Sequence, residues 1–193
     1  KIITCRLLRP SKQPTGDYFA YMGRIVEPKG VHLAIGAVRE YNRQHQDELV
    51  KLKIAGKHYA GHSKDLYWQE QILPELGGEI EYAGFIRGDE EKRRFLANAR
   101  ALIMPSTFAE PFGLVMAEAL ACGTPIVGLN SGAVAEVVRD GETGLVVKDA
   151  SELVGALGRI SEIDRGQCRA DFEGRFTLER MVREHAELYK SLV

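Results

Sequence analysis

Arg24 and Lys29 stand five positions apart in the stretch GRIVEPKG, just after an apolar burst. A guanidinium and an ammonium at that spacing can reach one diphosphate and neutralise it without a metal. The plainer alternative is an ordinary surface arginine and lysine. Lys29 is expected in the first turn of a helix, where its charge opposes the helix dipole. That cost hints at a purpose. A second group lies in PSTFAEPFGLVMAEALACG, residues 105–123. Pro111 disfavours helix at the residue before it and sets Glu110 on an extended loop. Gly113 lets backbone approach a ligand closely. A helix then starts near Leu114, and its first N–H groups, which lack intrahelical partners, suit a phosphate.

That helix carries apolar residues on every side (Leu114, Val115, Met116, Ala117, Ala119, Leu120, Ala121), so it is predicted to be buried. Glu118 is its single charge. A buried carboxylate needs hydrogen-bond donors. Ribose hydroxyls would serve, and so would an ion pair with a lysine or arginine; the sequence leaves both open.

Other chemistries find less support. There is no Asp-x-Asp pair to bridge a metal to a sugar diphosphate, no Gly-x-Gly-x-x-Gly after the first strand and no Walker motif. His58 and His62 have a zinc-like spacing, but Gly56 and Gly61 mark a loop and no third ligand is evident. No metal or cofactor site is expected. Cys122 reads as apolar packing, Glu136 as a structural charge, and Gly141 with Gly144 as a turn.

The elements that must hold these residues alternate regularly. Apolar bursts at 18–23, 51–55, 79–83, 100–104, 125–128 and 145–147 read as strands. Helical periods occupy the stretch from Val31 to Tyr41 and about 64–76, 89–98, 114–122, 133–138 and 149–160. This order predicts an α/β fold: a Rossmann-like parallel sheet of about six strands with helices on both faces. Gly23-Arg24, Gly56-Lys57, Gly84-Phe85, Pro105-Ser106 and Gly128-Leu129 each follow a strand. In open parallel sheets ligands sit outside the carboxyl ends of the strands, so these turns define the expected crevice. The order of the strands is not readable.

Residues 1–16 look like a linker, 17–176 like the ligand-binding domain, and 177–193 like a terminal helix capped by Thr177. The chain has 193 residues and a formal net charge of -1, from 26 basic and 27 acidic side chains. No global field attracts nucleic acid or an anionic membrane. Three scattered cysteines argue against a disulfide framework and fit a reducing, cytoplasmic setting. No apolar run is long enough to span a bilayer, and no signal peptide is evident. The start at Lys1 suggests an internal fragment.

Taken together, the chain resembles the carboxyl-terminal, donor-binding domain of retaining glycosyltransferases with the GT-B fold (family 4, or group 1), which includes glycogen synthases and many mannosyl- and glucosyltransferases. The likeness rests on GRIVEPKG at 23–30, EPFGLVMAE at 110–118, which looks like the family's Glu-x7-Glu motif, and GLNSGAVAEVVRDGETGLVV at 128–147. It extends over about 17 to 190. The resemblance implies a role for each matching residue. Arg24 and Lys29, beside Gly23, would hold the donor diphosphate and stabilise the leaving group. Glu110 would accept from donor-sugar hydroxyls, and the amides of Phe112, Gly113 and Leu114 would contact sugar and phosphates. Glu118 would bind the ribose, and backbone around Phe85 and Ile86 would meet the base.

The donor would be a UDP-, GDP- or ADP-sugar. The partner would be an amino-terminal acceptor-binding domain in the same parent chain, through which any membrane contact would run. Ala133 and Ala135 depart from the family's usual second glycine and proline. A non-catalytic nucleotide-binding module is the alternative, and a related epimerase or phosphorylase ranks behind both.

Overall fold

The computed structural model describes residues 8–10, 16–59, 61 and 65–192. All six expected strands form: β1 (Tyr18–Met22), β2 (Lys51–Ala55), β3 (Ile80–Gly84), β4 (Leu102–Met104), β5 (Ile126–Leu129) and β6 (Gly144–Val147). They make one parallel sheet in the order β3-β2-β1-β4-β5-β6. The order reverses between β1 and β4, which is where a doubly wound sheet opens a crevice.

Helices cover both faces. α1 (Val31–Gln44) and α5 (Leu153–Arg159) pack together on one, and α2 (Asp89–Ala97), α3 (Leu114–Ala121) and α6 (Arg165–Arg175) on the other. A short α4 (Val134–Val137) precedes β6, and α7 (Leu178–Ser191) ends the chain. Right-handed crossovers put α1 opposite α2 and α3, because leftward and rightward steps along the sheet place their helices on opposite faces, whereas α5 and α6 follow the last strand and are placed by packing on α1 and α3. The core sits between these layers. Phe19, Leu52, Ile54, Leu102, Ile103 and Val127 from four strands are wholly buried.

Three local findings depart from the sequence pattern. The expected helix over 64–76 is a π-helical turn at Trp68–Ile72 followed by a 3-10 turn at Leu73–Glu75. Pro74 has no N–H to donate and crowds the carbonyl four residues back, so a regular ladder cannot pass through it. Second, Arg165–Arg175 is helical, which the sequence pattern did not suggest. Its apolar signal is thin: Cys168 and Phe172 are buried one turn apart, flanked by Gly166 and Gly174. Asp164 caps it by accepting from Gly166 N at 2.7 Å, and Arg169 clamps it by donating to Ala121 O and Leu8 O. Third, α3 is not buried all round. Met116, Ala117, Ala119, Leu120 and Ala121 are, but Leu114 is 45% exposed because the start of the helix opens onto the crevice.

Of the segment read as a linker, only Leu8–Pro10 and Gly16 are among the described residues; Leu8 is buried. α7 forms where expected, with Thr177 accepting from Arg180 N. Its Met181, Val182, Leu188 and Tyr189 are exposed.

Burial raises the Cys122 and Cys168 thiols to about 12. At neutral pH almost no thiolate forms at either, and the thiolate is the reactive species. Ellman's reagent is therefore expected to label at most one of the three cysteines of the native chain and all three in denaturant. Fast labelling of two or three in the native state would contradict the packing.

Candidate nucleotide-sugar site

A cavity of about 410 Å³ opens at the carboxyl ends of β1 and β4. Gly23, Arg24, Lys29, Glu110, Gly113 and Leu114 all line it. A larger cavity of about 620 Å³ lies at the opposite end of the sheet, beside Asp17, Arg100 and Pro125, and holds none of the motif residues. Ligands of open parallel sheets bind at the carboxyl ends, so the smaller cavity is the candidate. Its size falls within the usual range for small-molecule sites, roughly 300–1,000 Å³.

Lys29 closes a 3-10 turn, Glu27–Lys29, that precedes α1 rather than lying within its first turn. The turn is pinned to the loop after β4: Pro28 O accepts from Thr107 N at 3.0 Å and from Phe108 N at 3.2 Å. Lys29 Nζ then pairs with the Glu110 carboxylate and lies 5.1 Å from the Phe108 ring centroid. Both charges are largely shielded from water. Glu110 sits on extended backbone, as Pro111 predicts. It bridges in parallel to Gly132, and its carbonyl accepts from Ala133 N at 2.7 Å.

Arg24 is exposed at the cavity mouth. Tyr21 Oη donates to its carbonyl at 2.8 Å. Burial raises the Tyr21 phenol far above its ordinary value, which keeps it a proton donor here. Among the described residues no carboxylate pairs with Arg24. Its charge faces an open hollow beside a shielded lysine-glutamate pair. Gly113 caps α3 with φ 71°, a left-handed turn that an L side chain resists, and this lets the chain reverse and present the first N–H groups of the helix at the cavity.

The other expected residues lie apart from this hollow. Glu118 does not line it; it lies one turn along α3 from Leu114 and is paired with Lys92 on α2, Nζ to Oε1 at 2.5 Å. Of the two partners left open by the sequence, the lysine is present. Phe85 and Ile86 follow β3 and line a separate shallow hollow of about 480 Å³. Lys57 Nζ lies 4.2 Å from the Phe85 ring centroid. The Phe112 ring stands outside the cavity, edge-on to Phe176 at 5.8 Å.

His58 is engaged by Asp65 at 2.9 Å and stacks on Trp68; His62 lies outside the described residues. No cluster of His, Cys, Asp or Glu suited to a metal is found among the described residues. Glu136 is exposed, and Gly141 turns with φ 77° into β6. Lys92 was missed by sequence reasoning because DEEKRR reads as a solvated helix face; only the packing of α2 on α3 buries it.

A family model described as "Glycosyl transferases group 1" matches residues 9–170. The chain is 29% identical over 184 residues to the D-inositol 3-phosphate glycosyltransferase of Corynebacterium urealyticum, covering 89% of this chain and 42% of that protein. It is 34% identical over 142 residues to a glycogen synthase of Mycobacterium tuberculosis, covering 72% and 33%. It thus spans less than half the length of these relatives. Anabaena HepE, solved in complex with UDP and glucose, superposes over 99% of this chain and 55% of its own with a TM-score of 0.81 at 21% identity, a likeness of fold. The sheet and its covering helices are one Rossmann-like half of a GT-B fold, and with the match across 9–170 the chain belongs to the glycosyl transferases group 1 family.

Proposed function

We propose that this chain is the donor-binding half of a retaining hexosyltransferase that uses a nucleoside-diphosphate sugar, and that it needs an amino-terminal acceptor domain for turnover. The observation that carries the reading is the convergence of Arg24, Lys29, Glu110 and the start of α3 on one cavity at the sheet's switch point. A diphosphate placed there meets two cations and a helix start; a sugar linked to it meets Glu110. The HepE complex with UDP and glucose supports a uridine nucleotide as the first ligand to try.

Lys29 and Glu110 satisfy each other across the cavity wall. Donor binding exchanges that pair for two contacts, ammonium to phosphate and carboxylate to sugar hydroxyl. As the glycosidic bond breaks, negative charge grows on the leaving diphosphate. Arg24, Lys29 and the α3 amides stabilise it there, which lowers the barrier without a metal. Glu110 is taken up by Lys29 and, in this reading, by sugar hydroxyls, so the domain works by electrostatics and positioning. The exposed stripe of α7 would pack on the acceptor domain, and closure of the two would exclude water. No helix among the described residues is long and apolar enough to cross a membrane. A cytoplasmic setting, with membrane contact only through the other domain, fits the reading.

Calorimetry with UDP, GDP and ADP tests it. One of the three is expected to bind, and Lys29→Ala to weaken it by about tenfold to a hundredfold, the scale of a lost hydrogen bond to a charged group. No binding of any at millimolar concentration would count against the reading.

A further inference from the structure

The pairing of Lys92 with Glu118 has features that a chance surface contact lacks. Both side chains are shielded, at 14% and 13% exposure, whereas Arg94 on the same helix is 70% exposed. Lys92 sits in the first turn of α2, where the helix dipole disfavours a cation. It also passes over acids on its own helix that are already engaged: Glu90 takes Arg93 and Arg94, and Glu91 takes Arg87 N. Its ammonium instead crosses to the only charge on α3.

We propose that Lys92 is a positioning residue for Glu118: by holding Oε1 it aims the rest of the carboxylate at the ribose hydroxyls of the bound nucleotide. The inference rests on the donor-binding reading above. A carboxylate offers about four lone-pair sites, and the lysine takes one. The remainder accept the two ribose O–H groups. Without the ammonium, a shielded carboxylate has no fixed orientation and pays the cost of burial unaided. α2 starts directly after Arg87 and Gly88, which follow Phe85 and Ile86, so the same lysine ties the loop expected to meet the base to the helix expected to meet the ribose.

The test compares each of UDP, GDP and ADP with its 2′,3′-dideoxy form, by calorimetry on the chain and its variants. Wild type is expected to favour the ribo form by about tenfold or more. Lys92→Met and Lys92→Gln should bring that preference close to one, while the dideoxy form binds nearly as before. Lys92→Arg should restore most of it, and Glu118→Gln should lose it as Lys92→Met does. A merely structural tether would weaken both forms alike and keep the ratio, and that result would overturn the inference. The neutral glutamine variant gives the same readout if the methionine variant fails to fold. Wild type that binds nucleotide without a ribose preference would sink the role of Glu118 and with it that of Lys92. Wild type that binds no nucleotide at all would instead remove the donor-binding reading.

Discussion

Arg24→Ala in the full parent enzyme is expected to lower kcat by about two to four orders of magnitude, with a smaller change in donor KM. Removing one preorganised donor from a site of developing charge costs about a hundredfold to a thousandfold, and a cation facing a leaving diphosphate stands at or above that scale. The effect should fall on kcat because the charge it answers grows only as the bond breaks. Arg24 is exposed, and among the described residues it has no carboxylate partner. Its loss therefore strands no buried charge, and the thermal midpoint should stay near that of wild type. Arg24→Lys should recover part of the rate, since it returns the charge but not the planar fork. Steady-state kinetics with an intact fold shown by melting decide the matter; near-normal turnover would refute the assigned role.

A second large effect is expected at Gly30, and it is one of stability. Gly30 has φ 68°, and a Cβ built there would lie 2.1 Å from the carbonyl oxygen of Pro105, at the end of β4. That oxygen belongs to backbone in a buried segment, so it cannot swing aside as a flexible side chain would. Gly30→Val adds the cost of left-handed backbone, about 1–2 kcal/mol, to that of overpacking, about 1–3 kcal/mol. A loss of about 4 kcal/mol in urea unfolding is expected, a large part of the stability of an ordinary domain. Any chain that folds should bind nucleotide poorly, because the same contact sets the turn carrying Lys29 against the loop carrying Glu110. Gly30→Ala unfolding within about 1 kcal/mol of wild type would show that the close approach can relax.

The six strands were legible because each is a short run, apolar or alternating apolar with charged, bounded by glycine, proline or charge, a pattern that is complete within a few residues. Pro111 likewise predicted the extended backbone at Glu110, and Gly113 the start of α3. These are steric effects between adjacent residues. Lys29, two positions before its expected helix, shows how soft such boundaries are.

Other features depend on residues far apart in the chain. The order β3-β2-β1-β4-β5-β6 reflects long-range pairing, and no period along the sequence encodes it. α6 forms although its apolar pattern is weak, because Arg169, Cys168 and Phe172 find their places only on the assembled sheet. Lys92 and Glu118 are 26 positions apart, so their meeting follows from how α2 packs on α3. Tertiary packing likewise put Arg24, Lys29 and Glu110 around one hollow and set Phe85 and Ile86 in another. Residue types and short spacings thus determined which reactive groups this chain offers; which of those groups face one another was decided by packing, because contact in space is fixed by the whole fold and not by distance along the chain.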